Sequence, residues 1–237
     1  MKILAIDSSG LVASAAIIED ENMVAEYTIN YKKTHSQTLL PMIDEIVKMT
    51  DTDLKTIDAI AVAGGPGSFT GLRIGSATAK GLGLALDKPL IHIPTVDGLA
   101  FNIYGTDKII CPIMDAKRNQ VYTGLYEFKN TQFCIVESQM AISIEEIINK
   151  INIIGRTVIF VGDGISVYAE QIKELITVKY SFAPAHLNKQ RAASIGTLAK
   201  AYFEEGKIET AQDHKPEYLR LSQAERERLE MQGKNHD

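Results

Sequence analysis

The sequence predicts an α/β chain of two lobes related by an internal duplication, and three observations carry that expectation. Residues 2–6 (KILAI) form an apolar run that ends on Asp7, and after a Ser-Ser-Gly turn residues 12–18 (VASAAII) give a second small, β-leaning run. The chain therefore begins as a hairpin with a carboxylate at its tip. The pattern recurs where residues 109–114 (IICPIM) run into Asp115, pass the polar turn Lys117-Arg118-Asn119-Gln120, and return through the alternating residues 121–126 (VYTGLY). Likewise IDAIAVA (57–63) leads through Gly64-Gly65-Pro66-Gly67-Ser68 into a helical stretch from about Thr70 to Leu86. TVIFV (157–161) leads in the same way through Gly162-Asp163-Gly164 into a helix from about Val167 to Leu175. Both pairs keep the same order at offsets of about 100 residues, which is more than isolated strand–loop–helix units would show.

The remaining elements fill in this plan. Residues 24–31 (VAEYTINY) alternate with period two as a third strand, ending at Lys32-Lys33-Thr34-His35. Leu39, Leu40, Ile43, Ile46 and Val47 recur at helical spacing, which predicts a first helix over about Ser36–Met49. A further helix is expected over Ala192–Phe203 (AASIGTLAKAYF). The expected division is residues 1–104 for the first lobe and 105–191 for the second, with the stretch of about 192–212 returning to the first lobe. The charged tail, 213–237, carries the anchors of Pro216-Glu217-Tyr218-Leu219-Arg220 ahead of SQAERERLEMQ. It reads either as a surface arm with a terminal helix or as a frayed terminus.

Composition narrows the function classes. The chain has 237 residues, 45% of them apolar, and a net charge of −5 with no Lys/Arg cluster able to neutralise a phosphate backbone. Nucleic acid is expected only through a partner. The opening MKILAIDSS is too short an apolar run for a signal-peptide core or a membrane span, so a cytoplasmic protein without membrane contact is expected. Cys111 and Cys134 lack the spacing of a disulfide framework or a zinc site and read as packing residues.

The residues that could carry chemistry sit in the turns. A carboxylate at a hairpin tip, repeated in two facing lobes, is how the actin/Hsp70/sugar-kinase architecture holds Mg-nucleotide. Here the turns are Asp7-Ser8-Ser9-Gly10 and Asp115-Ala116-Lys117-Arg118, so side chains stand where close approach to a phosphate favours glycine. Asp7 either caps its turn or lies near a ligand. Gly65 and Gly67 precede a helix N-terminus suited to anions, or simply allow a tight turn; the loop lacks the Lys-Ser/Thr ending of a P-loop. Asp7, Ser8, Ser9, Gly65, Gly67, Asp115, Gly162 and Gly164 are thus vestigial or weak nucleotide-site candidates. No two of His35, His92, His186, His214 and His236 stand three to five residues apart, so a histidine metal centre is not expected. Ser68 lacks the GxSxG elbow of a hydrolase nucleophile.

The second predicted helix is unusual. Gly71, Gly75, Ala79 and Gly83 recur every four residues, although each interior glycine costs about 0.5–1 kcal/mol relative to alanine. Small residues at this spacing admit a close helix neighbour, and Leu72 and Leu82 add apolar area. Together with Leu39, Met42, Ile43 and Ile46 of the first helix they read as a docking face for another protein rather than as internal packing alone.

MKILAIDSS, HSQTLLPMI (35–43), GGPGSFTGLRIG (64–75), DAKRNQVY (115–122) and PEYLR (216–220) occur in order across nearly the whole chain, and together they resemble the TsaB (YeaZ) family. The resemblance implies a part in making N6-threonylcarbamoyladenosine at position 37 of tRNAs reading ANN codons. It implies that the related TsaD is the catalyst, through a metal held by an HxxxH pair that reads His35-Ser36-Gln37-Thr38-Leu39 here and lacks its second histidine. It also implies docking on TsaD through the first-lobe helices, self-association through the same surface as a homodimer, and recruitment of the ATPase TsaE. No intrinsic cofactor is expected, with ATP or ADP at a subunit interface at most. The competing readings are an ATP-dependent transferase, a metallopeptidase-like enzyme, or a homodimeric nucleotide-binding module.

Overall fold

The computed structural model describes residues 1–31 and 34–220. In the first lobe, β1 (Lys2–Asp7), β2 (Ala13–Glu19) and β3 (Asn22–Ile29) form an antiparallel meander, with Ala5 opposite Ala16 and Ile17 opposite Ala25. Helix α1 (His35–Met49) then crosses to β4 (Ala59–Gly65), which lies parallel to β1, and α2 (Phe69–Leu86) crosses to the parallel β5 (Leu90–Pro94). The short α3 (Thr95–Phe101) follows at once. The sheet order is β3-β2-β1-β4-β5. β1 and β4 are apolar on both faces because both faces are covered, which explains their unbroken hydrophobic runs.

The second lobe repeats this order. β6 (Ile109–Pro112), β7 (Met114–Asp115), β8 (Gln120–Lys129), β9 (Gln132–Ser143), α4 (Ile144–Ile154), β10 (Val158–Val161), α5 (Ile165–Leu175) and β11 (Tyr180–Phe182) follow in chain order. β6 and β7 pair antiparallel with β8 on one register, Ile110 with Tyr126 and Met114 with Tyr122, so they are one line of strand. The single strand expected over 109–114 is divided because Pro112 has no N–H to offer the ladder. Read along the sheet, β9, β8, β6/β7, β10 and β11 match β3, β2, β1, β4 and β5, with antiparallel and parallel neighbours in the same places. The duplication and the two-lobed actin/Hsp70/sugar-kinase plan are both present.

The last helix, α6 (Ala192–Glu204), packs on the first sheet. Alternate residues of β1 divide between two cores, as strand geometry requires. Leu4 and Ile6 face Leu39, Ile43, Ile46 and Ala79 of α1 and α2, while Ile3 and Ala5 face Ala192, Ile195, Leu198 and Ala199 of α6. A buried polar tie then joins the lobes. Asp97 of α3 accepts from the Tyr126 hydroxyl of β8 at 2.7 Å and from the Tyr202 hydroxyl of α6 at 3.1 Å. Burial pushes the Asp97 carboxyl up, against the pull of those two donors. The terminal helix expected in SQAERERLEMQ lies outside the described residues, and no described helix is long and apolar enough to cross a membrane.

Candidate functional sites: the paired turns and the first-lobe helices

Asp7 ends β1 fully buried, where its Oδ1 accepts from the Ser9 amide at 2.9 Å and the Ser9 hydroxyl at 2.6 Å. This is a closed Asx turn. Burial raises the Asp7 pKa to about 6, opposed by the two Ser9 bonds and by the charge of His35. The same turn is shut against the glycine loop. Ser68 donates its amide to the Ser9 carbonyl at 2.7 Å, and Ser8 donates its hydroxyl to the Gly71 carbonyl at 2.9 Å. A Cβ at Gly67 would lie under 3.0 Å from the Ser9 carbonyl oxygen, so glycine is what lets the loop close over the turn. Ser68 also caps α2, accepting from the Gly71 amide at 3.3 Å. The Ser9 and Ser68 amides and the Ser8 and Ser9 hydroxyls are thus engaged within the chain. A phosphate held at this turn would have to displace these bonds.

The second turn is likewise committed. Asp115 accepts from the Lys117 amide at 2.8 Å and the Lys117 ammonium at 2.6 Å, with the Tyr168 hydroxyl at 3.3 Å. Burial would raise its pKa, but the bonds from Lys117 outweigh it and hold the carboxyl below its ordinary value. Lys117, Arg118 and Asn119 all adopt positive φ, and Arg220 clamps the turn by donating to the carbonyls of Ala116 and Lys117. Gly162 and Gly164 stand against the backbone of Ile113, where any Cβ would come under 3.0 Å from it. Between them the Asp163 carboxyl is raised by burial, and its Oδ1 has no hydrogen-bond partner among the described residues.

His35 and Leu39 do not form a metal pair. His35 Nε2 donates to the Gly10 carbonyl at 2.8 Å, and Leu39 is buried in the first-lobe core.

The glycine stripe of α2 requires a correction. Leu39, Met42, Ile43, Ile46, Leu72 and Ala79 are all buried within the chain, and Leu82 is half-buried against the same core, so these side chains are not a partner's contact surface. Gly71 and Gly75 face Ser8, whose hydroxyl would lie 2.5 Å from a Gly75 Cβ. Gly83 faces Leu90 and Ala211. The small residues admit the chain's own hairpin turn and strands, because an apolar helix face buries first against its own sheet. The outward faces of α1 and α2 carry a different set: Leu40 at 57%, Met49 at 77% and Leu84 at 55% exposure, with Pro41, Ala77 and Gly81 also exposed.

The segment 209–220 forms a strap. Glu217 donates its amide to the Gly64 carbonyl at 2.7 Å, and Gly65, at φ +128°, leaves room for the Glu217 carbonyl. Tyr218 stacks on Phe69 with ring centroids 4.4 Å apart and accepts from Arg73 Nε at 3.2 Å. Arg220 then reaches the second-lobe turn. The strap also assembles a cluster that spacing along the sequence could not reveal. His214 Nδ1 lies 2.6 Å from Glu209 Oε1, His214 Nε2 lies 2.8 Å from Ser76 Oγ, and the His92 ring stands 5.8 Å from that of His214. The i, i+4 rule detects ligands on one helix, whereas these residues come from β5 and from two points of the strap.

Comparison with known proteins fixes the family. The family model described as "TsaD: tRNA N6-adenosine threonylcarbamoyltransferase" matches residues 22–228. The tRNA threonylcarbamoyladenosine biosynthesis protein TsaB of Bacillus subtilis (strain 168) is 33% identical over 98% of this chain and 100% of its own length. The chain belongs to the TsaB (YeaZ) family. The TsaB of Escherichia coli (strain K12) is 30% identical over 93% of this chain and 95% of its own. YeaZ from Pseudomonas aeruginosa superposes with a TM-score of 0.78 over 92% of this chain and 99% of that one; at 24% identity the likeness shows the shared fold. TsaB and TsaD are thus related, and the closed turns described above are features of a TsaB-family chain.

Proposed function

We propose that the chain is a non-catalytic partner subunit in the formation of N6-threonylcarbamoyladenosine at position 37 of ANN-decoding tRNAs in the cytoplasm. The observation that carries this reading is the closure of the Asp7–Ser9 turn on the 64–71 loop, with His35 spent on the Gly10 carbonyl and Leu39 in the core. Groups that a catalytic relative would present to metal or nucleotide are here satisfied within the chain. The partner is a TsaD-like catalytic subunit, docked on the outward face of α1 and α2. Leu40, Met49, Ala77, Gly81 and Leu84 support this docking by offering apolar area and a flat approach. A TsaE-like ATPase completes the assembly, ATP or ADP is held at a subunit interface, and tRNA is reached through the complex. In the free protein the same face pairs two copies.

Reconstitution tests the proposal. Threonylcarbamoylation of an ANN-decoding tRNA is measured with threonylcarbamoyl-adenylate and Mg-ATP supplied, with TsaD- and TsaE-like proteins, with and without this chain, and with this chain alone. Modification is expected only when the chain accompanies the others. Turnover by the chain alone, or full activity without it, would overturn the reading.

A further inference from the structure

We propose that His92, Glu209 and His214 form a binding site for one divalent transition-metal ion of the zinc class, which staples the C-terminal strap to the first lobe. One donor atom from each residue lies within 4.8 Å of the others. Tetrahedral ligands bound at about 2.0–2.1 Å stand about 3.4 Å apart, so modest side-chain rotation brings the three onto one ion. Two imidazoles and one carboxylate form a donor set suited to zinc, whereas magnesium and calcium select oxygen ligands.

Each donor is anchored independently, so the site is held in advance of the ion. His92 projects from β5, and its ring occupies the space that a Cβ at Gly64 would fill. Glu209 is fixed by paired backbone bonds with Leu90, each 2.9 Å long. His214 is buried, and its amide donates to the Thr210 carbonyl at 3.2 Å. Lys80 secures the same loop by donating to the carbonyls of Gln212 and His214 at 3.0 and 3.1 Å.

The surrounding polar groups complete the arrangement. Ser76 Oγ lies 2.8 Å from His214 Nε2, so that nitrogen can be held by the hydroxyl while Nδ1, now facing Glu209, turns its lone pair to the ion. A hydrogen-bonded second nitrogen is the usual support of a metal-bound histidine. Glu217 Oε2 stands 3.8 Å from His92 Nε2 and adds negative charge on the strap side, where Gln139 donates to it at 2.7 Å. In the absence of the ion, a Glu209–His214 hydrogen bond occupies the same place. The ion replaces one bond by several and ties β5, α2 and residues 209–217 together.

The test uses the full chain, stripped with a chelator and titrated with Zn²⁺ by calorimetry, with Co²⁺ absorption as a report on coordination and Mg²⁺ as control. One equivalent of Zn²⁺ is expected to bind with micromolar or tighter affinity, and Co²⁺ to give the intense visible bands of a four-coordinate site. Glu209→Gln and His92→Gln are expected to weaken Zn²⁺ binding at least tenfold while keeping the circular dichroism of the parent. Ser76→Ala, acting through His214, is expected to weaken it about 10- to 100-fold. Absence of saturable Zn²⁺ binding would overturn the proposal. So would unchanged affinity in both Glu209→Gln and His92→Gln, which would assign the ion to other histidines.

Discussion

Gly71 of α2 lies so close to Ser8 of the first turn that a Cβ there would come under 3.0 Å from the Ser8 carbonyl oxygen. Backbone, not a flexible side-chain end, blocks the added atom. Gly71→Ala is therefore expected to destabilise the chain by about 1–3 kcal/mol through overpacking. Gly75→Leu, which the sequence alone presents as an interface change, is expected to lower the melting temperature as well, since Ser8 Oγ stands 2.5 Å from the new Cβ. Gly81 is the opposite case, with nothing within 4 Å of an added Cβ. Gly81→Ala is expected to stabilise by about 0.5–1 kcal/mol through helix propensity. Urea denaturation of the three variants checks the ordering.

Leu84→Glu and Leu40→Glu place a charge on the outward face of α1 and α2, away from the core. Each is expected to leave the melting curve nearly unchanged and to weaken association with a TsaD-like partner at least tenfold. Calorimetric titration measures the loss, and an unchanged Kd for both variants would remove this face as the docking surface.

Asp7 makes stability depend on pH. Its pKa is raised from 3.8 to about 6, so the folded chain binds its proton more tightly than the unfolded chain does. The resulting contribution is fully present below pH 3.8 and is lost as pH rises through about 6. Asp7→Asn keeps an acceptor for both Ser9 bonds and has no proton to lose. It is expected to be more stable than the parent at pH 8 by on the order of 3 kcal/mol, about two pH units at 1.4 kcal/mol each, and to match it near pH 3.5. Denaturant midpoints across pH 3.5–8 give the difference.

Tyr126→Phe removes the shorter of the two hydroxyl donors to Asp97 and leaves a buried carboxyl with Tyr202. The expected cost is about 1–3 kcal/mol. A loss in the double variant Tyr126→Phe/Tyr202→Phe different from the sum of the single losses would measure the coupling of the tie.

Much of the fold was legible in the sequence because its signals are local. The apolar run into Asp7, the stripe of α1 and the glycine loop before α2 each announce themselves within a dozen residues. β5, α3, β9, α4 and β11 were not singled out. β5 and β11 are only five and three residues long, and the exposed positions of β9 weaken its alternation. The residues expected to dock a partner are instead buried or half-buried, for a related reason. Periodicity reports which face of a helix is apolar, and in α1 and α2 that face meets the chain's own sheet, so the outward set of Leu40, Met49 and Leu84 stands out only once the packing is known. The His92–Glu209–His214 cluster was invisible because His92 lies more than a hundred residues before the other two and meets them only through the strap.

The strap also sets an order of events. Residues 216–220 reach back to Gly64, Phe69, Ala116 and Lys117, all of which leave the ribosome long before them. The lobes can gather as they emerge, yet Phe69 lacks its stacking partner and the Lys117 turn lacks its arginine until residues 218–220 have themselves emerged. Residues 216–220 thus act as a latch that can close only after both of the turns it spans have been made.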